Sequence, residues 1–169
     1  MNPMERINDF DKLLILVKDQ ARAAGIPVSE NIDPHVNVNT RAKTRFGQCT
    51  KKNGHYTIEL SSRLLSAPER SCRQTLAHEL IHTCPGCGNH GALFKKYADI
   101  LNRKCGYSIS RTNTAEEMGI TVEKSERTVN YIIECQKCGQ RITRSRYSAV
   151  IANPARYRCR CGGTLKRIK

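Results

Sequence analysis

The stretch His78-Glu79-Leu80-Ile81-His82 decides how the rest of the sequence is interpreted. On an α-helix, residues four positions apart lie one turn on and point the same way, so His78 and His82 can share one metal ion. Glu79 then lies beside them, placed to hold a water. This pattern is typical of the metal-binding helix of zinc peptidases. An ordinary amphipathic helix with the same five residues is the alternative, because the motif is short.

The segment after the motif favours the metal site. Pro85 and Gly86 stop the helix, and Asn89 is a favourable N-cap for a new helix over about residues 90 to 104. His90 then falls on the first turn of that helix, and the break allows its imidazole to return to the same ion. Three protein ligands and one open position predict a catalytic zinc site, since structural sites have four protein ligands.

Cys84 and Cys87 lie within this break at Cys-x-x-Cys spacing. Such a pair can bind a metal, form a redox disulfide or place a thiolate on the catalytic zinc. Two free thiols in a tight turn are the alternative. If one thiolate took the open position, the zinc would be inactive until oxidation released it. Asp99, on the next helix, is a weaker candidate for an acidic ligand than His90.

Other patterns along the first part of the chain predict helices and a small sheet. Apolar residues at spacings of three and four predict a helix over residues 4 to 24. Asn53-Gly54, followed by an alternating strand pattern, predicts a β-hairpin over residues 41 to 61. The motif helix is expected over residues 68 to 84, and residues 106 to 130 are expected to be a connector. The predicted fold class is α+β.

The edge of the predicted hairpin has a candidate function. An edge strand placed just before a metal helix can pair with an extended substrate and lay the scissile bond over the metal. A sheet edge with a purely structural role is the alternative, and the sequence pattern does not distinguish the two.

Composition indicates a soluble, basic, metal-binding protein. The chain has 169 residues, 38% of them hydrophobic, and a net charge of +14 with a pI of about 9.7. This charge predicts a polyanionic partner, nucleic acid above all, although basic surfaces also serve solubility alone. Nine cysteines fit metal binding better than a disulfide framework. Leu13 to Val17 is too short for a signal peptide or membrane span, so we expect a cytoplasmic, nucleoid-associated protein with no membrane partner.

Four cysteines near the C-terminus predict a second zinc site. Cys135-x-x-Cys138 and Cys159-x-Cys161 are each followed by a glycine, as in the two knuckles of a zinc ribbon. The second knuckle is one residue shorter than the usual pair. A module this small needs its metal for much of its stability. We therefore expect one catalytic and one structural zinc ion.

The domain boundary is expected near residue 128, which gives a domain over residues 1–128 and a ribbon over residues 129–169. Residues 131–169 hold 10 Lys and Arg against a single acid, Glu134. Phosphate contacts and base stacking by such a module predict nucleic-acid binding, with a solvated basic face as the alternative. The candidate contact residues are Arg141, Arg144, Arg146, Tyr147, Arg156, Tyr157, Arg158 and Arg160.

The combined motifs resemble the SprT-like metallopeptidase family. The resemblance lies in His78-Glu79-Leu80-Ile81-His82, in Asn89-His90-Gly91 with Phe94 shortly after, and in the ending Tyr157-Arg158-Cys159-Arg160-Cys161-Gly162-Gly163. It covers the chain from about residue 8 to its end. It implies a minigluzincin-like core with zinc held by three histidines.

By position, the resemblance implies that His78, His82 and His90 are zinc ligands and that Glu79 is the general base. The eukaryotic relative Spartan is a DNA-dependent protease that degrades proteins crosslinked to DNA. The resemblance therefore implies a zinc endopeptidase acting on proteins near nucleic acid, with DNA favoured over RNA. A nucleic-acid-binding zinc protein without proteolytic activity, linked to transcription, is the alternative. A metal-dependent nuclease is disfavoured because no cluster of carboxylates is present.

Overall fold

The protein, represented here by a computed structural model, is described over residues 7–121 and 129–169. It divides into two compact units, Met1–Val122 and Glu123–Lys169. The predicted boundary near residue 128 lies outside the described residues, as does the part of the predicted connector over residues 122–128. Among the described residues, none of the helices has the length and apolar character that a membrane crossing requires.

The first unit combines three helices with a three-stranded sheet, which confirms the α+β prediction. Strand β3 lies in the centre of the sheet, parallel to β1 and antiparallel to β2, so β2 is an outer strand. Asn53 and Gly54 join β2 to β3 with positive φ angles of 51° and 78°, as the predicted tight turn requires. The elements are α1 (Phe10–Ala23), β1 (Asn37–Asn39), β2 (Gly47–Lys52), β3 (His55–Ser61), α2 (Glu69–Ile81) and α3 (Ala92–Cys105).

Helix α1 begins later than predicted. The side chain of Asp9 accepts a hydrogen bond from the backbone amide of Lys12, which caps the helix and sets its start at Phe10. One face of the helix is buried and packs against α2. That face consists of Phe10, Leu14, Val17 and Ala21.

Helix α2, which carries the motif, lies in the core of the first unit. It packs against α1, α3 and the sheet, and Leu76, Leu80 and Ile81 are fully buried. The predicted end at residue 84 is wrong, because the helix ends at Ile81 with His82 as its C-cap. Beyond that point the amides of Thr83 and Cys84 bond to carbonyls only three residues back, so the chain tightens into a turn.

The prediction of a connector from residue 106 is wrong for its described part. Four apolar side chains of this segment are buried in the first core, namely Tyr107, Ile109, Met118 and Ile120. Tyr107 and Ile109, and again Met118 and Ile120, are two residues apart, which is the strand period, but neither pair lies in a strand. The segment is fixed by hydrogen bonds, with Gln74 accepting from the Ser108 amide and Asn102 accepting from the Ile109 amide.

The second unit is a small antiparallel sheet with the strand order β5-β4-β6. Its elements are β4 (Tyr131–Cys135), β5 (Arg141–Arg144), the short helix α4 (Ala149–Ala152) and β6 (Leu165–Arg167). Over residues 129–169, the buried residues of its core are Ile133, Cys135, Ile151, Cys159 and Leu165. Two of these five core residues are cysteines, which fits the predicted zinc ribbon.

Candidate metal centres and catalytic cleft

Three histidine side chains of the first unit converge on one point. Nε2 of His90 lies 2.9 Å from Nε2 of His78 and 3.2 Å from Nε2 of His82. His78 and His82 are brought together by the last turn of α2, as their spacing predicts. The ligand atoms of all three residues lie within 4.8 Å of one another.

His90 reaches the cluster from a turn and not, as predicted, from a helix. Helix α3 begins at Ala92, after Gly91 as its N-cap. The side chain of Asn89 does not cap the helix but accepts a hydrogen bond from the Gly91 amide at 3.0 Å. The chain therefore turns once more before α3, and this turn directs the imidazole of His90 back to α2.

A backbone carbonyl orients the imidazole of His82, and burial keeps that of His78 neutral. Nδ1 of His82 lies 2.8 Å from the carbonyl oxygen of Cys87, so Nδ1–H donates and Nε2 is left with its lone pair facing the cluster. The pKa of His78 is lowered to about 4, chiefly by burial and then by His82 and His90, against a hydrogen bond to the Ser110 backbone that raises it. A neutral imidazole is the form that binds a metal.

The ring of Phe94, from α3, packs against all three imidazoles. Its centroid lies 4.9 Å from that of His78, 4.8 Å from that of His82 and 4.7 Å from that of His90. Phe94 is only 2% exposed. This rigid apolar surface limits rotation of the three rings and excludes water from one side of the cluster.

The donor set fits a catalytic zinc ion. Three neutral nitrogens with lone pairs facing one another repel unless a cation lies between them, and three nitrogen ligands leave a fourth position open. Within the described part of the chain, neither Asp99 nor the thiols of Cys84 and Cys87 belong to the cluster. Both thiols are buried, and burial raises the pKa of Cys84 to about 12. Cys87 instead contacts the site through its backbone carbonyl, which accepts the hydrogen bond from His82.

Glu79 lies beside the cluster in a buried position, 6% exposed. Burial raises its pKa to about 7, while the Cys49 backbone amide and the charge of Arg45 lower it. Strand β2 passes directly over this carboxylate. A Cβ atom at Gly47 would lie 2.7 Å from Oε1 of Glu79 and 2.9 Å from Cγ2 of Thr75, so only glycine allows the strand to come this close.

Two cavities meet at this site and form one open cleft, with volumes of about 310 Å³ and 620 Å³. Gly47, His78, Glu79 and Arg111 line both of them. The larger cavity follows β2 through Gln48, Cys49 and Lys51. Sequence reasoning missed Gly47, although a glycine within a strand pattern signals a close approach. It also missed Arg111, which no sequence signal marks.

The four cysteines of the second unit form the other candidate metal centre. Sγ of Cys135 lies 3.5 Å from Sγ of Cys161, and Sγ of Cys138 lies 3.7 Å from Sγ of Cys159. A Cβ atom at Gly163 would lie 2.6 Å from Sγ of Cys135, so the backbone is packed against the sulfurs. Four sulfurs at these distances fit a closed, structural zinc site.

The surface of the ribbon carries the predicted nucleic-acid contacts. Tyr147 and Tyr157 are 61% and 42% exposed, and all six predicted arginines are exposed. Arg141 is paired with Glu134 at 2.8 Å, so its charge is partly neutralised. The arginines are Arg141, Arg144, Arg146, Arg156, Arg158 and Arg160.

Two further residues of the ribbon complete an aromatic and cationic surface. The guanidinium of Arg167 lies 5.0 Å from the ring centroid of Tyr131 and 6.0 Å from that of Tyr147, and the two rings lie 5.5 Å apart. We call these three residues the ribbon stack. Sequence reasoning missed Tyr131 and Arg167 because only the pairing of β4 with β6 brings them together.

The model of the SprT-like family matches residues 20–116. This span contains the motif helix, all three histidines and Arg111. The chain belongs to the SprT-like family. No curated protein matches it. Membership in the SprT-like family confirms the predicted resemblance and indicates a protein of metallopeptidase type, for which the histidine and cysteine clusters are candidate zinc sites.

Proposed function

We propose that this SprT-like protein is a zinc-dependent endopeptidase that cleaves proteins associated with nucleic acid, DNA–protein crosslinks among them. The observation that carries the proposal is the buried Glu79 beside three converging imidazoles, at the junction of two open cavities. When bound by His78, His82 and His90, zinc supplies a Lewis acid that polarises a carbonyl and lowers the pKa of a water to about 7.

Glu79 moves the proton in this reaction. Its carboxylate takes a proton from the attacking water and delivers it to the leaving amine. Burial, which raises the pKa of Glu79, suits a group that must both accept and release a proton. Burial of Glu79 also keeps bulk water away from the proton while it is held there.

Strand β2 positions the substrate. It is an outer strand of the sheet and lines the larger cavity, so an extended polypeptide can pair with its free edge. Gly47 allows this strand to pass within contact distance of Glu79. A substrate backbone on β2 therefore passes the general base.

The ribbon supplies the preference for substrates on nucleic acid. Its positive charge favours phosphate contacts, and the exposed ring of Tyr147 in the ribbon stack favours base stacking. We expect DNA to be bound in preference to RNA. The alternative function, a nucleic-acid-binding zinc protein without proteolytic activity, is favoured by this same surface.

The test compares the full-length wild type with Glu79→Gln. Both are expected to contain two zinc ions and to bind nucleic acid equally. Only the wild type is expected to cleave a DNA-binding protein substrate, and it should cleave that substrate faster when DNA is present than when DNA is absent. Equal cleavage by the wild type and Glu79→Gln would contradict the role of Glu79 as general base. Two zinc ions and DNA binding without any cleavage would establish the non-proteolytic alternative.

A further inference from the structure

Arg111 occupies a singular position in the cleft. Four residues line both large cavities, and the other three are the ligand His78, the base Glu79 and the close-approach residue Gly47. The scissile bond must lie between the two cavities, where the substrate passes the base. Arg111 lines both cavities, so it lies near the position of the reacting carbonyl. A residue that lined one cavity alone would contact only the substrate side chains on that side of the scissile bond.

The backbone around Arg111 is fixed to the same elements that carry the metal ligands. The preceding residue, Ser110, lines the smaller cavity together with His78 and Glu79. The Ser110 hydroxyl donates to the Thr112 carbonyl at 2.7 Å. Two residues before Arg111, Ile109 is held by the Asn102 side chain of α3. The base of the Arg111 side chain is thus preorganised with respect to the cluster.

The charge of Arg111 is not paired with any other side chain among the described residues of the first unit. Its side chain is exposed and makes no ion pair or hydrogen bond with any residue over 7–121. Arg45, the other arginine lining the smaller cavity, pairs with Glu59 at 3.3 Å. Arg111 also lines a third, smaller cavity together with His90 and Phe94, which places it beside the histidine cluster.

We propose that Arg111 is a further catalytic residue, which stabilises the oxyanion that develops on the scissile carbonyl. This inference rests on the proposed proteolytic function. A guanidinium presents several fixed N–H donors to an anionic oxygen, and donors held in place before the reaction lower its barrier most effectively.

Arg111 assists the attack of water on the scissile carbonyl. The water oxygen bonds to the carbonyl carbon while the C=O π electrons move onto the carbonyl oxygen, and Glu79 takes the proton of the water. The oxyanion that forms is the group that Arg111 contacts. As the C=O bond re-forms, the C–N bond breaks and the proton held by Glu79 passes to the amine nitrogen.

The experiment uses the full-length, zinc-loaded protein and two peptides with the same side chains. One peptide has an ordinary amide at the scissile position, and the other has a phosphonate, whose anionic oxygen replaces the carbonyl oxygen. Arg111→Ala is expected to lower kcat by about 10²-fold with KM changed less than about threefold. Its affinity for the phosphonate should fall by a similar factor, while binding of the amide peptide to an inactive Glu79→Gln background is unchanged.

Two further variants make the result specific. Arg103→Ala removes an exposed arginine of α3 that lines neither large cavity, and should match the wild type. Arg111→Lys should recover part of the loss in kcat, since the charge returns without the planar fork of donors. A raised KM with normal kcat would overturn the proposal and make Arg111 a substrate-binding residue, and unchanged kinetics would overturn it outright.

Different results distinguish a loss of the proposed role of Arg111 from a loss of the proposed proteolytic function. If the wild type cleaves and Arg111→Ala cleaves equally well, only the role of Arg111 is lost. If Glu79→Gln cleaves as well as the wild type, or if the wild type neither cleaves nor prefers the phosphonate, the proteolytic mechanism fails and the role of Arg111 fails with it.

Discussion

The carbonyl oxygen of Cys87 lies 2.8 Å from Nδ1 of His82, and this hydrogen bond joins the turn after α2 to a predicted zinc ligand. The turn is set by its backbone, because Gly86 has a positive φ of 77°. The Cys-x-x-Cys segment therefore contributes the backbone carbonyl of Cys87 to the site, held in place by Gly86. The thiols of Cys84 and Cys87 are buried in the core.

Gly86→Ala is expected to weaken zinc binding at the histidine site by about tenfold, since partners that orient a metal ligand contribute this much to affinity. The new methyl group meets a disfavoured φ and would lie 3.3 Å from Leu93. Competition with a chelator measures the effect. Gly25→Ala is the matched control, with a φ of 78° and open space around its Cβ. Equal zinc affinity in both variants would contradict the role of this turn.

Gly47→Ala is expected to lower kcat by about 10²-fold while both zinc ions are retained, because a displaced catalytic group costs activity steeply. The added Cβ would lie 2.7 Å from Oε1 of Glu79, so either the carboxylate or β2 must move. Thr50→Ala, an exposed position on the same strand, is the control. Normal kcat in Gly47→Ala would show that the close approach is not needed for activity.

The ion pair between Asp11 and His35 predicts a pH dependence of stability. Its atoms lie 2.9 Å apart, and Asp11 also accepts a hydrogen bond from the Val36 amide at 2.8 Å. The pKa of Asp11 is lowered, first by that amide and then by His35, and the pKa of His35 is raised, first by the hydrogen bond to Asp11.

The sign follows from the two directions. Asp11 stabilises the fold at pH values above its ordinary pKa of 3.8, and this stabilisation is lost as the pH falls through its lowered pKa in the folded state. His35 stabilises the fold at pH values below its ordinary pKa of 6.5, and this stabilisation is lost as the pH rises through its raised pKa in the folded state. The unfolding free energy lost in Asp11→Asn should therefore be largest between those two ordinary values. Chemical denaturation of Asp11→Asn, with Asp19→Asn as the exposed control, measures this difference, and a loss independent of pH would contradict the ion pair.

The exposed aromatic and basic residues of the ribbon predict two separable effects on binding of single-stranded DNA. Tyr147→Ala should weaken binding by about 1–3 kcal/mol with the salt dependence unchanged, because a stacked base is lost. Arg146→Ala should reduce the slope of log affinity against log salt by about 1, because a phosphate contact is lost. Titrations at several salt concentrations distinguish the two. Unchanged affinity in both variants would remove the ribbon from the nucleic-acid interface.

The part of the site that could be predicted from sequence is the part fixed by local geometry. His78 and His82 share a face because they lie four residues apart on a helix. The helix ends before His90, and the turn that follows allows the imidazole of His90 to reach the other two. Gly47 and Arg111 lie far from the motif in sequence and reach it only through packing of β2 and of the segment after α3. The burial of Ile109 and Met118 follows from the same packing, because neither residue lies in a helix or strand.

The position of His82 as the C-cap of α2 has a consequence for the energetics of metal loading. The peptide dipoles of a helix sum to a partial negative charge at its C-terminus, and that end of α2 lies at the histidine cluster. A divalent cation there is stabilised by the macrodipole of α2. The direction of the α2 backbone therefore attracts the cation in addition to the three imidazoles.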